Sequence, residues 1–309
     1  MSILIDPELS AESLRNALYG GRLVLLTRLR AVSEFVEYTQ KQLIELFYPH
    51  DPEHAHEHFD KTEMANMLVR WKHGFIHANE SKDLVREIIC EAGFEAEFTH
   101  YDVPKPRTSF PIGHLTSGIA YAFPWHRDVW YSAPAQQINW WLPIFPARED
   151  NAMSFDLQSF DRGISNNSDT FDYYKNNADR RLNHHGIALT QEWQQRPAAV
   201  DYEPLHELVV LPAVGQVLLF SGAQLHRSIP NISGQSRFSV DFRTADARDL
   251  LAGQGAPIVD VHCAGTAIRD FHNVEDGGSF DEQTITHIFG APPPDALLVF
   301  SLAEEEQSV

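Results

Sequence analysis

Cysteine is scarce in this chain. Two thiols, Cys90 and Cys263, stand among 309 residues. So few exclude a disulfide framework and a thiolate metal site, and they suit a reducing cytoplasm, where we expect the protein. Positive charge is scarce as well. Lys and Arg number 24 against 43 Asp and Glu, a formal net charge of -19. A surface of that sign repels nucleic acid and anionic lipid, so neither is an expected partner. Long apolar runs are missing, since none approaches the roughly 20 residues that a membrane-spanning helix needs. The first residues carry Asp6, Glu8 and Glu12 where a secretory signal would need a basic start and an apolar run, so no such signal is expected.

What is present is an ordinary globular composition, 43% apolar, enough for a sizeable core. The first third reads as helical. Ser10 can cap a helix from Ala11 to about Leu18, which Gly20-Gly21 then breaks. Leu23–Leu26 reads as a buried strand. Apolar residues recur at helical spacing from Arg30 to Phe47, and two further helices are predicted near Thr62–Trp71 and Ser81–Ala92. After Gly93 the pattern changes to short strands separated by Pro, Gly, Asn and Asp. These are predicted at Glu95–Tyr101, Gly118–Phe123, Gln136–Leu142, Met153–Leu157, Leu208–Leu211, Gln216–Phe220 and Arg237–Arg243. Helices followed by many strands fit an α+β chain whose core is a double-sheet jelly roll. We read residues 1–309 as one catalytic domain. It comprises a helical flank (1–94), a jelly-roll core (95–246) with a polar insertion (161–206), and a C-terminal extension (247–309). One short helix is predicted in the insertion, near Thr170–Asn176.

The chemistry centres on His126-Arg127-Asp128. On an extended chain residues two apart point to the same side, so His126 and Asp128 can grip one metal ion. A third ligand must come from a distant strand. His226 is the best candidate, because an apolar run from Gln216 to Phe220 ends in the small-residue turn Ser221-Gly222-Ala223 and the histidine follows. Two histidines and one carboxylate cover one face of an octahedral iron and leave three positions open. A bidentate keto acid and then dioxygen can fill them. Further on, Arg237 and Ser239 share a face of a strand. A guanidinium fork with a hydroxyl beside it suits the distal carboxylate of such a keto acid.

These three segments together, with His226-Arg227-Ser228-Ile229-Pro230-Asn231 following the apolar run, resemble the phytanoyl-CoA dioxygenase-like family of iron and 2-oxoglutarate oxygenases. The resemblance covers about Thr116 to Thr244. It implies a double-stranded β-helix, cupin-like, with flanking N-terminal helices. It also implies iron(II), 2-oxoglutarate and dioxygen as cofactor and co-substrates, with succinate and carbon dioxide released. Ser228 and an aromatic near Trp141 would line the co-substrate pocket. Gln137, Asn139 and Trp141 alternate onto one face, which makes Asn139 a neighbour of that pocket. Related enzymes that halogenate lack the carboxylate ligand. With Asp128 in place, hydroxylation, or a desaturation or ring closure that begins with the same hydrogen abstraction, is expected instead. Two turns depart from the family pattern, Asn151-Ala152-Met153 and Leu157-Gln158-Ser159-Phe160, but neither supplies a ligand. No basic run for the phosphates of an acyl-CoA is evident, so the expected substrate is a small metabolite or natural-product intermediate.

Other readings compete. A cupin-like metalloenzyme without a keto acid would share the fold and triad but not need Arg237. A catalytically silent binding protein would need neither iron nor arginine. Among remaining residues, Trp130, Tyr131 and Arg243 are candidates for the substrate wall. His50, His54, His56 and His58 could present a metal pair from a helix, yet lie in so polar a run that a solvated loop is the better reading. His184-His185 reads as surface.

Overall fold

The computed structural model describes residues 2–115, 120, 122–182, 196–294 and 296. Half of the strand expected at 118–123 lies outside these residues, and His184-His185 lies wholly outside them. Four helices open the fold: α1 (Ala11–Tyr19), α2 (Arg30–Phe47), α3 (Lys61–His77) and α4 (Asn79–Glu91). Ser10 caps α1 by accepting a hydrogen bond from the Ser13 N–H at 3.2 Å. Asp60 and Glu63 form a reciprocal capping box on α3, so that helix starts before Thr62. It also runs past Trp71 through Gly74, because Phe75 is buried on its inner face against Phe35 and Trp71.

The strands are β1 (Ile3–Ile5), β2 (Leu23–Leu26), β3 (Thr99–Tyr101), β4 (Lys105–Ser109), β5 (Ile138–Pro143), β6 (Met153–Asp156), β7 (Glu207–Val210), β8 (Val217–Ser221), β9 (His226–Ser228), β10 (Arg237–Asp246) and β11 (His272–Asn273). The large sheet runs β1-β2-β8-β5-β10-β3-β11, with β4 also paired to β10. A smaller sheet runs β7-β6-β9. Only β1 and β2 pair in parallel among these strands. This is the mixed α+β, double-stranded β-helix architecture expected from the sequence. β4 was hidden by Pro104 and Pro106. Its pairing is to β10 alone among the described residues, and an edge strand tolerates a proline that cannot donate to a ladder.

Alternation along the strands divides the molecule. Phe238, Val240 and Phe242 of β10, with Ile138, Trp140 and Leu142 of β5, pack against α1–α4 in the main core. Trp140 stacks on Phe242 at 5.2 Å. The opposite face carries Arg237, Ser239, Asp241 and Arg243 beside Asn139 and Trp141. Trp141, Leu218 and Phe220 there meet Met153, Phe155 and Val210 of the small sheet in a second apolar cluster. The helices therefore seal one face, and the polar residues collect between the sheets. Beyond β10, α5 (Ala247–Ala252) is capped by the Asp246 side chain, and β11 joins the edge of the large sheet. No helix of the described residues is long and apolar enough to cross a membrane.

Phe238 tests this division, since it lies under α2 while both its neighbours on β10 face the other way. It is 1% exposed, with Phe47 at 5.9 Å and Phe145 at 6.0 Å. Phe238→Ala should lower stability by about 3–5 kcal/mol, seen in urea unfolding as a lower midpoint with the slope unchanged. A loss below about 1 kcal/mol, within reach of an ordinary surface substitution, would mean the ring is not in the core.

Candidate active site

His126 and His226 come from segments remote in sequence that meet in an isolated antiparallel bridge. Each backbone N–H donates to the other's carbonyl, at 2.9 and 3.0 Å. The two rings lie 4.2 Å apart. Each ring is turned by its own backbone: Nδ1 of His126 is 2.8 Å from the Pro124 carbonyl and Nδ1 of His226 is 2.8 Å from that of Gln224. A carbonyl can only accept, so both Nδ1 atoms carry the proton and both Nε2 lone pairs are left for a metal. Burial, and the nearby His126, push the His226 imidazolium down to about 3, so His226 is neutral at physiological pH.

Asp128 opens a single 3-10 turn, Asp128–Tyr131. Its Oδ1 lies 3.5 Å from Nε2 of His126 and 3.8 Å from Nε2 of His226. Its Oδ2 accepts from Gln137 Nε2 at 3.0 Å, and the same Gln137 nitrogen reaches Asn139 Oδ1 at 2.8 Å. Burial alone would raise the Asp128 carboxyl. The adjacent His126 and His226 rings and the Arg243 guanidinium outweigh it and hold the group well below the usual carboxylate range. The ligand atoms of His126, Asp128 and His226 lie within 4.8 Å of one another, and no other such cluster occurs among the described residues. The histidine run forms one 3-10 turn, Pro52–Glu57, flanked by a stacked His50–His58 pair at 3.8 Å.

Arg237 is buried, with its guanidinium 5.7 Å over the Trp141 ring. Burial lowers it to about 10, with Asp241 opposing the shift. Its Nε and Nη1, and the Oγ of Ser239 on the same face of β10, are buried with no hydrogen-bond partner among the described residues. Native proteins rarely leave such atoms unsatisfied. Two guanidinium nitrogens and a hydroxyl on one strand face form a cradle for a carboxylate, so the residues present fit a 2-oxo dicarboxylic acid as well as a metal. Ser228 follows His226 by two positions on β9 and so faces the same side, partly buried.

The substrate candidates separate. Tyr131 lies edge-on to His126 at 5.6 Å, and its hydroxyl donates to the Pro197 carbonyl at 2.7 Å. Trp130 is fully buried and donates its indole N–H to Asp260 at 2.8 Å. Arg243 pairs with Asp102 at 3.1 Å and Asp241 at 2.9 Å, with Asp128 4.0 Å away. It bridges the floor of the site to the metal-side carboxylate.

Arg127 is the residue that motif reading passes over. Between the two candidate ligands, it must face the other way. It is 1% exposed and donates to the carbonyls of Ser159, Phe160 and Arg162 at 2.6–3.1 Å, to that of Ala223, and to Asp260 at 3.2 Å. Ala223 lies in the turn that delivers His226. One guanidinium thus ties the segment bearing His126 and Asp128 to the segment bearing His226. Its acceptors are backbone atoms, which leave no signature in a sequence.

The family model described as Phytanoyl-CoA dioxygenase (PhyH) matches residues 25–239, a span that includes all three candidate ligands and Arg237. No curated protein sequence matches the chain. Among solved structures, the chain is similar to EvdO2 from Micromonospora carbonacea var. aurantiaca. Identity is 14%, coverage 80% of this chain and 94% of that one, and the TM-score 0.46. It is also similar to the non-heme alpha ketoglutarate dependent carbocyclase SnoK from nogalamycin biosynthesis, at 14% identity over 82% and 94% of the two chains with a TM-score of 0.38. For the epimerase SnoN of the same biosynthesis the values are 12%, 85%, 99% and 0.40.

Arg127→Met would leave Asp260 without its buried countercharge and take the guanidinium donor from four carbonyls, of which that of Ser159 keeps the Arg162 N–H. We expect a stability loss of about 3–5 kcal/mol, and iron(II) affinity reduced about 10–100-fold in protein that stays folded. Anaerobic iron titration at a temperature below the melting transition separates the two effects. Unchanged affinity would mean that Arg127 does not position the histidines.

Proposed function

The chain belongs to the phytanoyl-CoA dioxygenase family and is an iron(II)- and 2-oxoglutarate-dependent oxygenase, and from that premise we propose that it hydroxylates an organic small molecule at the site between its two sheets. His126, Asp128 and His226 would hold the iron. Arg237 and Ser239 would take the distal carboxylate of 2-oxoglutarate, with Trp141 packed against the guanidinium and Asn139 and Ser228 nearby. When bound, iron(II) with dioxygen supplies the oxidising power, and 2-oxoglutarate leaves as succinate and carbon dioxide.

The protein's own part is positioning and shielding. Hydrogen bonds to Pro124 and Gln224 fix both imidazoles in one tautomer. Gln137 fixes one Asp128 oxygen, which turns the other toward the histidines. Phe155 and Phe220 pack 5.9 and 5.0 Å from His226 and keep water from that side. Tyr131 stands at the His126 edge as a substrate wall. Asp260 reaches Arg127 from the C-terminal extension, which supports the reading of one catalytic unit.

The observation that carries this reading is the set of orphaned atoms on Arg237 and Ser239, on the strand that passes the metal cluster. A metalloenzyme without a keto acid, or a silent binding protein, would leave them unexplained. Both cysteines are free thiols, which supports a reducing cytoplasm as the place of action.

The primary test is succinate release from 2-oxoglutarate with iron(II) and ascorbate under air. His226→Ala should abolish it together with stoichiometric iron binding, and retention of both would remove His226 from the metal site. Arg237→Gln should raise the 2-oxoglutarate requirement at least tenfold, since a charged hydrogen bond contributes roughly 1.5–3 kcal/mol, and should leave iron affinity nearly unchanged. An unaltered requirement would place the carboxylate elsewhere. Because Asp128 fills a metal position and its charge disfavours a second anion there, turnover in saturating chloride should give an oxygenated product. A chlorinated product would show that Asp128 is not a ligand.

A further inference from the structure

The candidate ligand Asp128 is steered by an amide that has almost no room to move. Gln137 stands just before β5 and is 3% exposed. Its Nε2 donates to Asp128 Oδ2 at 3.0 Å and to Asn139 Oδ1 at 2.8 Å, so both N–H groups of that nitrogen are used. A shift of the amide must disturb at least one of these bonds.

Gly222 sets the room that Gln137 has. It follows β8, in the turn Ser221-Gly222-Ala223. Its N–H donates to the Gln137 carbonyl at 2.9 Å, and its carbonyl accepts from the N–H of Val129, the neighbour of Asp128, at 3.2 Å. One residue is thus bonded to the backbones of both segments whose side chains meet, and neither can draw away freely to make space. A methyl carbon on Gly222 would lie 3.3 Å from both Cβ and Nε2 of Gln137 and 3.5 Å from its Cγ. Carbon atoms in comfortable contact stand about 3.5–4.0 Å apart. Conformation does not demand glycine here, since Gly222 is not among the residues with a left-handed φ. The demand is for space, and the group that fills the space is the one that holds Asp128.

We propose that Gly222 is a positioning residue of the metal site. Having no side chain, it lets the Gln137 amide lie close to the turn and present one N–H to Asp128, which leaves the other carboxylate oxygen for iron(II). The proposal rests on reading Asp128 as an iron ligand.

The test is anaerobic calorimetric titration of iron(II) into the full chain, with urea unfolding of the same metal-free proteins beside it. Gln137→Ala should weaken iron(II) at least tenfold, as loss of a ligand's outer partner does, and Gly222→Ala should weaken it about tenfold. The two costs should not multiply. With no amide at position 137 there is nothing left to displace, so the double variant should bind within about twofold of Gln137→Ala alone. That comparison decides if Gly222→Ala by itself fails to fold. Iron affinity unchanged in folded Gly222→Ala, even with a lower urea midpoint, would show a merely structural glycine and overturn the proposal. A double variant much weaker than Gln137→Ala would overturn it too, because Gly222 would then act by another route. Wild-type protein that takes up no iron(II) would remove the metal reading itself. Stoichiometric uptake by the wild type, with either of the two contrary results, counts against this proposal alone.

Discussion

The structure depends on one short joint, the two-residue bridge between His126 and His226. It is only a pair of backbone hydrogen bonds, but it brings together segments a hundred residues apart and sets both imidazoles on the same side. The arrangement of the candidate metal ligands follows from it. Nδ1 of each ring finds a carbonyl two residues earlier in its own chain, so tautomer and ring direction are settled locally. Two hydrogen bonds would not hold such a joint alone. The buried guanidinium of Arg127 does the holding, through carbonyls on both sides and the carboxylate of Asp260. A buried charge bonded only in part would be costly; with several acceptors satisfied, it fixes their geometry.

A second constraint is the strict alternation of β10. Its aromatic and β-branched residues face the helices, and its charged residues face the small sheet. A slip of one residue would put Arg237 into the apolar core and Phe238 into the site. Pairing on both sides, to β5 and to β4 and β3, prevents that slip. The candidate site and the core therefore use the same strand in opposite directions, and the candidate metal site gains a rigid floor. Arg243 is the link between floor and metal side. It is held by Asp102 and Asp241, and their charges together with that of Asp128 raise its affinity for its proton despite burial.

Much of this was legible in the sequence, for physical reasons that can be named. α2 runs from Arg30 to Phe47 as its apolar spacing predicts, and α1 ends at the glycine pair that stops it. The two-residue spacing of His126 and Asp128 and the apolar strand before His226 carried the metal cluster, since these are local features of an extended chain. What stayed hidden is what only the folded chain brings together. β4 looked unlike a strand because proline is judged without knowing that the strand lies at an edge. Trp130 read as a substrate wall because its partner, Asp260, lies in a tail without recognisable pattern. Arg127 bonds to backbone carbonyls, and any residue type would offer those.

The central claim is that one site joins the His126, Asp128 and His226 cluster to the Arg237 cradle through a shared ligand. A crystal structure of the protein grown anaerobically with iron(II) and 2-oxoglutarate tests it most directly. The account predicts iron bonded to Nε2 of both histidines and to Asp128. It further predicts the keto acid bridging from that iron to Arg237 and Ser239, whose orphaned Nε, Nη1 and Oγ atoms become bonded. Iron bound elsewhere, or a keto acid that leaves Arg237 facing no carboxylate, would contradict it.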